Sequence, residues 1–102
     1  MGGRVNKIGM TSVVVATRDQ VSSDLGGEAV ILHLGNGVYY SLNGSGSRIW
    51  SLIQQPTIVE GVYTTLLAEY EVEPRVCERE LLRLLETLNA QGLIETLDAV
   101  PA

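Results

Sequence analysis

Residues 37–50, GVYYSLNGSGSRIW, decide the fold of this chain. Val38 to Leu42 reads as a strand. Beyond Leu42 the apolar period changes from two to about 3.6, which marks a strand passing directly into a helix. Asn43 is the expected N-cap, because its side chain can accept from an unpaired first-turn N–H. The helix should run to about Gln54, with Ile49, Trp50, Leu52 and Ile53 apolar, and stop before Pro56.

Upstream, Gly35-Asn36-Gly37 is a strong hairpin signal, since a tight turn needs residues that tolerate positive φ. A two-residue loop at Asn36-Gly37 would set Leu34 opposite Tyr39 and His33 opposite Tyr40; a three-residue loop would shift that register, and both remain open. Glu28 to Leu34 is then the preceding strand, nearly apolar on both faces. Ser12 to Ala16 is β-branched and reads as a first strand. Thr17 to Gly27 mixes charge, Ser and Gly-Gly and reads as a loop with room for a further extended segment.

Downstream, Thr57-Ile58-Val59-Glu60 matches a capping box and should open a second helix. Val59, Val62, Tyr63, Leu66, Leu67 and Tyr70 make its buried side. Pro74 at a first helical position opens a third helix, which ends near Gln91 with Gly92 as its C-terminal cap. The expected fold is α+β and winged-helix-like, a three-stranded antiparallel sheet followed by three helices. Residues 1–11 read as a flexible N-terminal arm, 12–95 as the domain and 96–102 as a C-terminal tail.

On the third helix, Cys77, Leu81, Leu84 and Leu88 cluster within about 60° at 100° per residue and define a core stripe. Leu85 sits on its flank and Leu82 well outside. Arg75, Arg79 and Arg83 form a column at i, i+4 and i+8. An off-stripe leucine beside an arginine column suggests a second contact surface. Single exposed leucines are also ordinary, and the arginines could pair with Glu71, Glu78 or Glu86.

Composition narrows the function. With 102 residues the chain has room for one modest core, and no apolar run approaches the roughly 18–20 residues of a membrane span. The N-terminus lacks the apolar region of a secretory signal. One cysteine cannot form an intramolecular disulfide, which fits a reducing cytoplasm. Seven basic against twelve acidic side chains leave a net charge of -5, the wrong sign for a surface that gains affinity by displacing counterions from phosphates.

Catalytic and metal constellations fail on counting. His33 is the single histidine and Cys77 the single cysteine, so a His/Cys zinc site cannot be completed within the chain. His33 inside an apolar strand reads as a hydrogen-bonded structural residue, and Cys77 on a core stripe as a buried inert thiol. The GNG and GSG pieces fit no phosphate-loop pattern. Glu69, Glu71 and Glu73 read as a solvated helix–helix junction. Neither enzymatic activity nor a cofactor is expected.

Val30 to Trp50 resembles the pyrroloquinoline quinone biosynthesis protein D family, also called RiPP recognition elements, and within it the stand-alone proteins of lasso-peptide biosynthesis. The residues carrying the resemblance are Gly37, Tyr39, Leu42, Asn43, Gly46, Ile49 and Trp50. Later pieces also fit: Ala68-Glu69-Tyr70, Val72-x-Pro74 and Gly92-Leu93-Ile94. The likeness covers roughly residues 12 to 95 and departs from the family in a longer loop between the first two strands.

The resemblance implies a non-catalytic protein that binds the leader segment of a ribosomally made precursor peptide. The leader would add as an antiparallel strand to the edge Gly37, Val38, Tyr39, Tyr40, Ser41, Leu42. It would lie in a groove whose other wall is the third helix, and the bound precursor would be presented to a leader peptidase or modifying enzyme. The wheel places Val76, Arg79, Leu82, Arg83 and Glu86 on that wall. Strand addition gives affinity through main-chain hydrogen bonds and specificity through side-chain pockets. A winged-helix DNA-binding regulator is the alternative, although Glu78, Glu80 and Glu86 neutralise its arginines. A homodimer joined through the open strand edge is a third possibility.

Overall fold

The computed structural model describes residues 8–97, and the chain builds two sheets where one was expected. The elements are β1 (Val13–Ala16), β2 (Gln20–Asp24), β3 (Glu28–His33), β4 (Tyr39–Asn43), α1 (Ser45–Leu52), β5 (Thr57–Ile58), α2 (Val59–Glu69), α3 (Pro74–Ala90) and β6 (Ile94–Leu97). The α+β class with antiparallel strands and three helices is as expected.

The meander, however, is β2-β3-β4, and its first strand comes from the stretch read as a loop with room for an extended segment. The β-branched Val13–Ala16 strand belongs instead to a second sheet of order β5-β1-β6. Gln20–Asp24 carries two serines and an aspartate, so propensity alone does not mark it as a strand. Pairing with β3 from Gln20↔His33 to Asp24↔Ala29 holds it extended.

The β3–β4 register sets Leu32 against Tyr39 and Ile31 against Tyr40, and the His33 N–H donates to Val38 O, so residues 34–37 form a four-residue loop. Each partner thus lies two residues before the one a two-residue loop would supply. A shift of two preserves facing, because side chains alternate with period two. Ala29 and Ile31 point into the core, and Tyr40 and Leu42 pack against it.

Helix termini also depart from local expectation. Asn43 ends β4, and the residue before α1 is Gly44 at φ 58, with no side-chain cap. The Thr57 capping box does not form. Thr57 donates its hydroxyl to Leu52 O, while the Val59 and Glu60 N–H groups are taken by Ser12 O and Met10 O. Tertiary carbonyls thus supply what a local cap would have. At α3, Pro74 opens the helix as expected. Gly92 at φ 74 closes it with paired bonds, Leu93 N–H to Leu88 O and Gly92 N–H to Asn89 O, the Schellman arrangement.

The core sits between the helices and the two sheets. Val14, Ile31, Ile53, Val59, Val62, Leu81, Leu85, Leu88 and Leu93 are fully buried. Trp50 joins them at 4% exposure and donates its indole N–H to Ser22 Oγ at 3.3 Å. Ile8 is buried as well, so the tail end of the stretch read as an arm packs against the domain. Residues 1–7 and 98–102 of the arm and tail lie outside the described residues, and β6 carries ordered chain to Leu97.

Candidate functional site

Among the described residues β4 has β3 on one side and no strand on the other. In an antiparallel ladder alternate residues turn both N–H and C=O toward the partner. His33 donates to Val38 O, which makes Val38, Tyr40 and Leu42 the residues bonded to β3. Tyr39, Ser41 and Asn43 therefore turn their backbone groups outward. Their side chains are exposed, Tyr39 at 69%, whereas Tyr40 and Leu42 are half-buried on the core side. No residue from Tyr39 to Asn43 is charged or a proline, and the register runs without a bulge. The strand itself thus carries none of the charges, prolines or bulges that discourage strand pairing.

Beyond its C-terminal end lies Gly46 in the first turn of α1. A Cβ placed on Gly46 would meet Leu42 at 3.6 Å and Leu84 of α3 at 3.8 Å, so strand, helix start and third helix converge there. A cavity of about 460 Å³ opens alongside, lined by Ser45 and Ile49 of α1, Leu66 at the end of α2, Tyr70, Glu71 and Val72 of the connection, and Cys77, Glu80, Leu81 and Leu84 of α3. Its lining is mostly apolar, with Glu71 and Glu80 as the charged members. Such a pocket suits an apolar side chain that also offers a donor.

The sequence-derived residues of β4 meet at one edge: Tyr39, Tyr40, Ser41 and Leu42 within the strand, Gly37 at φ 70 and Val38 in the turn that starts it. Those of α3 do not meet the cavity. Val76 and Leu82 are half-buried, Arg79, Arg83 and Glu86 are exposed, and none of the five lines it. The buried stripe is Cys77, Leu81, Leu85 and Leu88, with Leu84 half-buried on its cavity side. Leu82 and Leu84 stand about 160° apart around the helix, so they cannot share a wall. A wheel gives the width of a stripe but not the direction in which its flanks face. Leu84 and Glu80 line the cavity and Gly46 sits between Leu42 and Leu84, placements that periodicity could not give.

Among the described residues, Arg75, Arg79 and Arg83 make no ion pair; Glu71, Glu78 and Glu86 do not engage them. The pair that forms is Arg48–Glu69, joining α1 to the end of α2 through two bonds of 2.8 Å. The hydrogen bond from Arg48 holds the Glu69 carboxyl below the usual carboxylate range. Burial pushes the Cys77 thiol up, the behaviour of an inert core cysteine. Among the described residues no His/Cys/Asp/Glu group could hold a metal ion, and no helix is long and apolar enough to cross a membrane.

The fold is similar to those of solved proteins. TbiB1, whose structure is in complex with the TbiA(beta) leader peptide, shares 34% identity and a TM-score of 0.77, over 83% of this chain and 99% of that one. A lasso peptide synthetase B1 complexed with its leader peptide superposes with a TM-score of 0.66 over 80% of this chain and 96% of that one; at 23% identity this is a likeness of fold. No curated protein matches the chain. The model of the coenzyme PQQ synthesis protein D (PqqD) family matches residues 28–94, and with the identity to nearly all of TbiB1 it establishes that this chain belongs to the PqqD family.

Proposed function

We propose that this protein is a non-catalytic adaptor that captures the leader segment of a ribosomally made precursor peptide and presents it to a leader peptidase or modifying enzyme of the same pathway in the cytoplasm. The observation that carries the reading is the unguarded β4 edge beside an apolar cavity, in a chain 34% identical to a protein solved with a leader peptide bound. The leader adds antiparallel to β4, pairing with the outward groups of Tyr39, Ser41 and Asn43. A leader side chain past Asn43 enters the cavity between α1, α2 and α3. Leu84 and Glu80, rather than Leu82 and Arg79, form the α3 wall, and no cofactor takes part.

Calorimetry with a synthetic leader of the cognate precursor peptide tests the reading. Ordering a disordered segment costs about 2–5 kcal/mol. The net affinity should still be micromolar or tighter, about −8 kcal/mol or beyond. No heat with that leader, together with salt-sensitive binding of a DNA duplex, would replace the adaptor by a regulator.

A further inference from the structure

His33 ends β3 and stands behind the turn from which β4 starts. Every N–H from His33 to Val38 has a partner. His33 donates to Val38 O, Leu34 to Asp19 O, and Gly37 to His33 O. Val38 donates to Asn36 Oδ1. The remaining two, from Gly35 and Asn36, converge on His33 Nδ1 at 3.0 and 3.3 Å. A ring nitrogen that accepts two donors carries no proton, so the neutral imidazole holds its hydrogen on Nε2. That nitrogen faces the end of α3: a Cβ on Gly92 would lie 3.2 Å from it. On the other side a Cβ on Gly35 would strike His33 Cε1 at 2.8 Å and Asp19 Oδ2 at 2.9 Å, so the turn closes tightly over the ring.

The sequence Asn36-Gly37 favours a two-residue turn when nothing else intervenes. Such a turn would set Leu34, not Leu32, opposite Tyr39 and slide β4 along β3 by two residues, about 7 Å. Facing would be preserved, because side chains alternate with period two. The outward groups of Tyr39, Ser41 and Asn43 would nevertheless be displaced relative to α3 and the cavity. The imidazole opposes this by holding Gly35 and Asn36 in the longer loop.

We propose that His33 is the positioning residue of the peptide-binding edge, selecting the four-residue loop that aligns β4 with the third helix. The inference rests on strand addition to β4. Two variants separate the ring's contacts: His33→Asn keeps an acceptor where Nδ1 stands, and His33→Gln places its amide where Nε2 stands. Leader affinity is measured by calorimetry with the same synthetic leader, and register by the close cross-strand Hα contacts of non-bonded pairs such as Leu32–Tyr39 in NMR spectra.

The expected result is wild-type register and affinity in His33→Asn. In His33→Gln the Leu32–Tyr39 contact is lost and binding is about tenfold weaker or worse, the effect of stranding two backbone donors. Wild-type register and affinity in His33→Gln, equal weakening in both variants with register unchanged, or an Nδ1–H tautomer in the ring's nitrogen spectrum would each overturn the assignment. If the wild type fails to bind the leader while His33→Gln still slips, strand addition is wrong and the register role stands.

Discussion

Leu84 and Leu82 show how much a single position on α3 decides. Leu84 touches the Gly46 corner and lines the cavity, while Leu82 packs on the opposite flank of the stripe. Leu84→Ala should therefore weaken leader binding about tenfold, and Leu82→Ala should leave it at the wild-type value. Leu85→Ala, at a fully buried position, should cost about 2–5 kcal/mol of stability. Denaturant titrations and calorimetry at a temperature where all variants are folded check the three together. Weakened binding in Leu82→Ala but not Leu84→Ala would return the wall to the flank suggested by the helical wheel. Trp50 belongs to a different class. It is a core residue bonded to Ser22, and Trp50→Ala should cost about 3–5 kcal/mol and affect binding only through unfolding.

At the scale of the element, β4 offers a test that distinguishes its two sides. The Ser41 N–H points away from β3 and the Tyr40 N–H points toward it, as the alternation from the His33–Val38 bond requires. A proline removes one donor and is tolerated on the open side of an edge strand. Ser41→Pro should keep the fold and abolish leader binding; Tyr40→Pro should disrupt the β3–β4 ladder and destabilise the domain. In the wild type, bound leader should protect the amides of Tyr39, Ser41 and Asn43 from hydrogen exchange, leaving Tyr40 and Leu42 little changed because β3 already holds them. Protection gained only in α1 or α2 would refute strand addition.

For the molecule as a whole, the Arg48–Glu69 clamp ties α1 to the end of α2, the two elements that close the cavity from one side. Glu69 is held below its ordinary value, so the clamp's stabilisation is complete above the ordinary carboxylate range, near pH 4.3. It is lost as pH falls through the lower folded value. Wild type should be more stable than Arg48→Gln at neutral pH, and the two should converge on acidification. Both side chains are exposed at 39%, so the difference should be small and screened by salt. Urea titrations of both proteins at neutral and strongly acidic pH supply the comparison. A gap that persists or widens in acid would show that Arg48 acts through something other than Glu69.

Features that depend on neighbours along the chain were legible in the residues: the β-to-α switch at 37–50, Pro74 opening α3, Gly92 closing it and the buried Trp50. These follow from apolar period, fixed backbone dihedrals and residue type, which act locally. Tertiary structure decided the rest. It drew the polar Gln20–Asp24 into the meander and sent Val13–Ala16 to a second sheet, because strand partners are chosen by long-range pairing. It replaced the expected cap at Thr57 with the carbonyls of Ser12 and Met10, which accept from the Val59 and Glu60 N–H groups, and it put Gly44 rather than Asn43 before α1. It turned Leu84 rather than Leu82 toward the cavity. A helical stripe has two flanks that sequence treats alike, and only the packing of α1 and α2 against α3 tells them apart.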